Sequence, residues 1–244
     1  MRISIVIATF NAAEVLPKAL ASILNQSFQD WECIIVDGAS KDGTLDIIKE
    51  YVKKDIRIRY ISEPDKGIYD AFNKGWKMAK GEWIYYLGAD DILLENAFDE
   101  IFKKVTFPSG IDIIYGNVIY KTKGGFLNKK STKDTKVIRR HMLCSHQAII
   151  MKKSLMEEMN GFYLKYAISA DFDLIQRCFL QGRIFKYLDV NIAIFDCGGI
   201  SAGIKALNDA YKLRKANHSV SIWCNMRIYM FGIIKHIGKQ LLIR

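Results

Sequence analysis

Trp83-Ile84-Tyr85-Tyr86-Leu87-Gly88-Ala89-Asp90-Asp91 is the stretch on which the fold turns. An apolar run of strand length ends in a glycine and then in two adjacent carboxylates. That is the pattern of a strand buried on both faces whose carboxyl end opens on a polar site. Upstream, Ile3 to Ala8 and Cys33 to Val36 read the same way, and Ile56 to Ile61 reads as a third strand. Between them, Val15, Leu16, Ala19, Leu20, Ile23 and Leu24 repeat at helical spacing, with Pro17 blurring the start. Thr44 to Tyr51 forms a second helical stretch, and Ile68, Ala71, Phe72, Gly75, Trp76 and Ala79 a third. Strands alternating with helices predict an α/β fold with a mostly parallel, twisted sheet covered on both faces. In such sheets the ligand crevice lies at the carboxyl ends of the strands. Asn11, Asp37-Gly38-Ala39-Ser40 and Asp90-Asp91 fall at those ends.

The second half is less regular. Ile111 to Tyr120 reads as a strand, Asp171 to Gln181 as a helix closed by Gly182, and Ile184 to Leu188 and Ile192 to Phe195 as two short strands. Residues 1–108 are expected to form the ligand-binding half, 109–205 a mixed second half of the same domain, and 206–244 a basic amphipathic extension. The chain has 244 residues, half of them apolar, which suits one sizeable core and excludes a disordered chain. Its net charge of +10 calls for an anionic partner. Five scattered cysteines without a CxxC pair argue against a disulfide framework or a thiolate zinc site and for a reducing, cytoplasmic setting. The short apolar start is read as a first strand rather than a signal peptide, and no uncharged apolar stretch reaches membrane-spanning length.

Several clusters could carry chemistry. Asp90-Asp91 at a strand mouth suits a hard divalent cation shared with substrate phosphates, or else a helix N-cap with a first-turn acid. Asp37 to Thr44 is a small-residue turn into a helix, without the spacing of a phosphate-binding P-loop, and no GxGxxG follows the first strand. His146, in Cys144-Ser145-His146-Gln147, is either a packed histidine or, with Gln147, a contact to acceptor or phosphate. Asp171 and Asp173 open a helix, where they either complement its dipole or supply a base. Phe195 to Ser201, with Gly198-Gly199, is either a lid or a simple turn.

In order and spacing, these blocks resemble family 2 glycosyltransferases. The resemblance runs through Ser4 to Asn11, Ser22 to Gln26, Ile34 to Thr44, Gly67 to Gly75 and Ala79 to Trp83, up to Asp90-Asp91. It is close over residues 3 to 91 and looser to about 200. It implies a GT-A fold and an inverting transfer of a hexosyl or N-acetylhexosaminyl group from a nucleotide-diphosphate sugar, most often UDP-linked, to a glycan hydroxyl. By that similarity Thr9 and Asn11 lie beside the nucleotide and Asp37 accepts from the base edge. Asp70 and Asn73 face the nucleotide sugar or diphosphate. Asp90, with Asp91 beside it, holds the Mn²⁺ or Mg²⁺ that bridges the phosphates, and Asp171 is the general base. Gly88 and Ala170 stand where the family often carries acids.

From Ala210 onward there are seven Lys/Arg and no acid, interleaved with aliphatic and aromatic residues. That segment suits the headgroup layer of an anionic membrane, and equally a helix packed on the body or on another subunit. The expectation is therefore a cytoplasmic enzyme, peripheral on the inner face of the cell membrane, acting on a glycan or lipid-linked glycan in cell-surface polysaccharide assembly, with no nucleic-acid partner. Two rivals stand beside it: a sugar nucleotidyltransferase, and a degenerate, non-catalytic nucleotide- or glycan-binding protein.

Overall fold

The computed structural model describes residues 1–103, 110–122, 124–196 and 203–242. The glycines of the expected lid, Gly198 and Gly199, and the 108/109 boundary lie outside them. Among the described residues nine strands form one sheet in the order β3-β2-β1-β4-β8-β6-β9-β5, with β7 paired to β6. The first four are β1 (Ile3–Thr9), β2 (Trp31–Asp37), β3 (Ile58–Ser62) and β4 (Trp83–Gly88), all parallel. β5 (Ile92–Leu93), β6 (Ile113–Thr122), β7 (Gly125–Lys129), β8 (Ile149–Lys152) and β9 (Phe185–Asp196) make the mixed part. β8 joins the two parts, running antiparallel to both β4 and β6.

Alternate residues of β1 feed two cores. Ile3, Ile5 and Ile7 pack on one face with Leu16, Leu20 and Trp31, and Val6 on the other with Phe72 and Trp76. This is why the strand reads as an unbroken apolar run. The covering helices are α1 (Leu16–Leu24), α2 (Thr44–Lys54), α3 (Ile68–Met78) and α4 (Ala97–Phe102), then α5 (Lys153–Glu158) and α6 (Ala170–Leu180). Pro17 sits in the first turn of α1, where its missing N–H costs no helical bond. Gly75 lets α3 lie against β1, since a Cβ there would collide with Val6.

Two elements differ from the sequence reading. The third strand starts at Ile58 rather than Ile56, because the Asp55 carboxylate accepts from the backbone N–H and Nε of Arg57 and turns the chain. Ile56 is left 94 % exposed. The two short strands expected over 184–195 are one strand, β9, with a bulge. Tyr115 faces Tyr187 and Asn117 faces Asn191, so β9 spends four residues where β6 spends two. Asn117 Nδ2 donates to Asp189 Oδ1 at 3.0 Å and the Tyr187 hydroxyl to Asn117 Oδ1 at 3.1 Å, holding the bulge closed.

The chain then forms a helical hairpin, α7 (Ile204–Ala216) and α8 (Ile222–Leu242), beginning two residues before the expected 206 boundary. Asn225 Nδ2 donates to the Tyr211 carbonyl and the Tyr229 hydroxyl to Asn208 Oδ1. Among the described residues no helix is long and apolar enough to cross a membrane.

Candidate active site

The carboxyl ends of β3, β2 and β1 place Ser62, Asp37 and Thr9 side by side, at about 4.8 Å per strand, and β4 ends at Gly88, opposite Ala8. The loops after β1 and β2 are stitched together. Asn11 N–H donates to Ser40 Oγ, Asn11 Oδ1 accepts from Lys41 N–H, and the Ala12 and Ala13 N–H groups donate to Thr44 Oγ1 and Asp42. Asn11 and Ala39 adopt left-handed φ values of 49° and 62°, the local cost of so tight an interlock. Phe10 stands 66 % exposed on this rim.

Asp37 lies beneath the rim. Its carboxylate accepts from Thr9 Oγ1 (3.2 Å), Ser40 Oγ (2.5 Å), Ser40 N–H (3.1 Å) and Ser62 Oγ (2.6 Å), and the residue is 0 % exposed. Burial pushes its pKa up, but these donors, Ser40 first, outweigh it and hold the carboxyl below its usual range. The expected direct hydrogen bond to a base edge therefore finds no open acceptor here. Asp37 instead orders Thr9 and Ser40, which line the rim.

Beyond β4 a cleft of about 840 Å³ opens, lined by Tyr69, Gly88, Asp90, His146, Gln147 and Asp171 among others. Asp90 is exposed on its wall. Asp91 is 1 % exposed and turned into the protein, its oxygens accepting from Asp196 N–H (3.0 Å) and Gln147 Nε2 (2.7 Å). Burial, reinforced by the charge of Asp90, raises its carboxyl to about 7. The two adjacent acids thus do not share one open site. Gly88 belongs to this arrangement, because a Cβ there would strike Asp91 Oδ2 and lie 2.9 Å from Asp90 Oδ1.

Across the cleft, Asp171 enters from the first turn of α6. Its Oδ1 accepts from Phe172 N–H at 2.7 Å and lies 3.0 Å from the Tyr69 hydroxyl, which also reaches the Ile168 carbonyl at 2.8 Å. Burial and the charge of Asp171 push the Tyr69 phenol far up, so it remains a proton donor. His146 Nδ1 is 3.6 Å from Asp171 Oδ2, and its ring is caged by Phe72, Tyr86 and Phe162. Burial favours the neutral ring, lowering the imidazole pKa against the opposing pull of Asp171. Asp173, 1 % exposed, is bound to Arg177 Nε (2.8 Å) and Asn217 Nδ2 (3.1 Å) and holds α6 in place.

The cleft therefore gathers Asp90, His146, Gln147 and Asp171, with Thr9 and Asn11 on the adjoining rim. Asp70 and Asn73 are not brought to it. Asp70 accepts from Lys66 N–H at 3.0 Å, holding the turn that leads into its own helix. Asn73 clamps the chain at Phe162, donating to its carbonyl and accepting from its N–H and from Trp76 Nε1, and borders a separate depression. Tyr69 and Tyr86, both packed in the core, also line the cleft. The signal was their hydroxyls, since a buried Tyr needs a partner that Phe does not. The Tyr86 hydroxyl is buried with none.

Among the described residues no three His, Cys, Asp or Glu side chains converge on a metal position. An ion shared with substrate phosphates needs only one or two protein carboxylates, and exposed Asp90 supplies one.

Residues 4–162 match the family profile described as glycosyl transferase family 2. The PGL/p-HBAD biosynthesis glycosyltransferase of Mycobacterium tuberculosis is 35% identical over 206 residues, spanning 81% of this chain and 78% of that protein. The GalNAc(5)-diNAcBac-PP-undecaprenol beta-1,3-glucosyltransferase of Campylobacter jejuni is 31% identical over 166 residues, 64% of this chain and 53% of that one. Among solved structures, S. aureus TarS 1-349 in complex with UDP-GlcNAc superposes with a TM-score of 0.72 at 16% identity, covering 98% of this chain and 73% of that chain. The Pyrobaculum calidifontis mannosyltransferase PcManGT in complex with GDP-Man and Mn²⁺ gives a TM-score of 0.69 at 14% identity, covering 97% and 75%. The sheet order and these superpositions make the fold GT-A, and with the profile spanning most of its length the chain belongs to glycosyl transferase family 2.

Proposed function

We propose that the protein is an inverting glycosyltransferase. It moves a hexosyl or N-acetylhexosaminyl group from a UDP-sugar to a hydroxyl of a lipid-linked glycan in cell-surface polysaccharide biosynthesis. The observation that carries this reading is the placement of Asp90 and Asp171 in one cleft at the strand ends, beyond the stitched rim of Thr9, Asn11 and Ser40. The rim receives the nucleoside and the end of β4 the diphosphate, so the sugar projects toward Asp171. There Asp171 takes the proton of the acceptor hydroxyl as the leaving group departs from the opposite face. Tyr69 and the Phe172 N–H fix the Asp171 carboxylate so that Oδ2 faces the acceptor. His146 packs the ring wall beside it.

Asp90 would hold Mn²⁺ or Mg²⁺, which as a Lewis acid stabilises the charge on the departing diphosphate. Division of labour follows the chain: 1–108 for the donor, 109–205 for the acceptor and base, and the following hairpin for attachment to an anionic membrane face. The lipid-linked substrate in the Campylobacter relative's name and the nucleotide sugars in the two complexes support the donor and acceptor classes.

Calorimetric titration of UDP and GDP, with and without Mn²⁺, tests the reading. UDP binding strengthened by Mn²⁺ and weakened in Asp90→Ala is expected. Asp171→Asn keeps that binding and lowers kcat about 10²–10⁴-fold, the contribution of a positioned base. Preference for GDP changes the donor and keeps the class. Binding of neither nucleotide, with Mn²⁺ present, removes the transferase reading.

A further inference from the structure

A second cavity, of about 1310 Å³, lies between the α7–α8 hairpin and the body. Part of its wall is apolar: Leu207 of α7, Ile228 and Phe231 of α8, Phe172 of α6 and Ile168 just before it. It is not separate from the cleft, since Met142, Ile168 and Asp171 border both spaces. One groove thus runs from the edge of the hairpin to the carboxylate assigned as base.

Among the described residues the same groove carries several cations and a single carboxylate, Asp171. Arg214 is 3 % exposed, and among the described residues its guanidinium donates to neutral groups, Asn225 Oδ1 at 2.7 Å and the Arg140 carbonyl at 3.1 Å. Burial lowers its pKa to about 10, and no carboxylate opposes that drop. Arg140 and Arg227 line the groove beside it, and none of the three makes an ion pair among the described residues. His141 feels the same field, its pKa lowered by burial and then by Arg214 and Arg140. The acid that faces the groove is Asp171 at its inner end, while Asp209 of α7 is engaged by the Ile168 N–H at 3.0 Å. A buried guanidinium with no counter-ion is costly unless a ligand supplies the negative charge, and an apolar trough beside it selects a ligand that is apolar at one end.

We propose that this groove is the lipid-phosphate site of the acceptor. It takes a diphosphate esterified to a long isoprenoid chain, with the diphosphate on Arg140, Arg214 and Arg227 and the chain between α8 and the body. The proposal rests on the glycosyltransferase reading, for it places the first sugars of the acceptor along Met142 and Ile168 toward Asp171. Arg guanidinium groups suit phosphate because their planar fork donates to two oxygens at once.

The test is fluorescence titration of the full chain with geranylgeranyl diphosphate, inorganic pyrophosphate and geranylgeraniol. Trp31, Trp76 and Trp83 are buried and Trp223, on the groove edge, is 74 % exposed, so the tryptophan response reports the groove. Geranylgeranyl diphosphate is expected to bind about ten-fold or more tightly than pyrophosphate or the alcohol. Arg140→Ala/Arg227→Ala, both exposed, weakens it by a similar factor, the loss of two charge-assisted contacts. UDP affinity, read separately by calorimetry, stays unchanged in that variant. Three results would each overturn the proposal: pyrophosphate binding as tightly as the isoprenoid diphosphate, no effect of the double variant or of Phe231→Ser, or equal binding to phosphatidylglycerol vesicles with no response to the isoprenoid diphosphate. Binding of neither UDP nor GDP, with intact isoprenoid diphosphate binding, removes the transferase reading and leaves the site standing.

Discussion

At the scale of single residues, buried carboxylates decide how this protein answers to acid. Glu32, 2 % exposed, accepts from Ser4 Oγ (2.7 Å), Lys80 N–H (2.6 Å) and Arg59 Nη2 (2.6 Å). Burial alone would push its pKa up, but Ser4, Arg59 and Lys80 together hold it below the ordinary value of 4.5. A carboxyl whose folded pKa is depressed adds stability that is complete above its unfolded value and is lost as pH falls through the folded value. Glu32→Gln is therefore expected to cost about 1–3 kcal/mol at pH 7 and to show a shallower loss of stability below about pH 4.5. Urea denaturation at several pH values checks both. A variant with the wild-type acid limb would mean that other carboxylates carry it. The residue scale is also where spacing reached and where it stopped. Asp90 and Asp171 could be placed because strand ends and helix starts follow from apolar periodicity. The clamp of Asn73 on Phe162 and the four donors around Asp37 could not, because Phe162 and Ser62 arrive from distant positions that no local pattern announces.

At the scale of elements, the β6–β9 pair shows what the pattern of polar residues conceals. Asp189-Val190-Asn191 reads as a turn between two strands, yet the chain keeps its direction because Asn117 and Tyr187 satisfy the bulge from within the sheet. The bulge leaves no room opposite it. A Cβ on Gly116 would lie 2.5 Å from the Val190 carbonyl oxygen and 3.0 Å from Ile192 Cδ1. The first of these is backbone and cannot rotate away. Gly116→Ala is thus expected to destabilise the fold by about 1–3 kcal/mol, lowering the denaturant midpoint at constant slope. An unchanged midpoint would show that the bulge can open without cost. The parallel half held no such surprise, since β1, β2 and β3 are each followed by a helix and β1–β2 and β2–β3 are sequential neighbours in the sheet. The mixed half pairs strands far apart in sequence, and the carboxyl end of β9, at Asp196, anchors Asp91 behind the cleft.

At the scale of the whole molecule, charge and apolar surface coincide on one helix. The face of α8 that meets α7 carries Asn225, Tyr229 and Gly232, the last against Leu207. The rest of the helix surface exposes Trp223, Met226, Met230, Ile234 and Ile237, each at least 44 % exposed, with Arg227 among them; Trp223, Arg227, Met230 and Ile234 also edge the groove. A solvent-facing stripe of that kind marks a contact surface, and a chain of net charge +10 with no acid after Asp209 favours an anionic one. Attachment would lay α8 in the headgroup layer and turn the groove toward the bilayer, so that a lipid-linked acceptor need not leave the membrane to reach Asp171. Co-sedimentation with phosphatidylglycerol vesicles is the check, with binding expected to fall as salt rises. Met226→Ser/Ile237→Ser lies outside the groove and should reduce binding about ten-fold or more, as two half-buried apolar side chains are lost from the interface. UDP binding should be unchanged. Sedimentation velocity without lipid separates the alternative. A dimer that the same double variant dissociates, with no vesicle binding by the wild type, would make the stripe a contact between two copies of the chain.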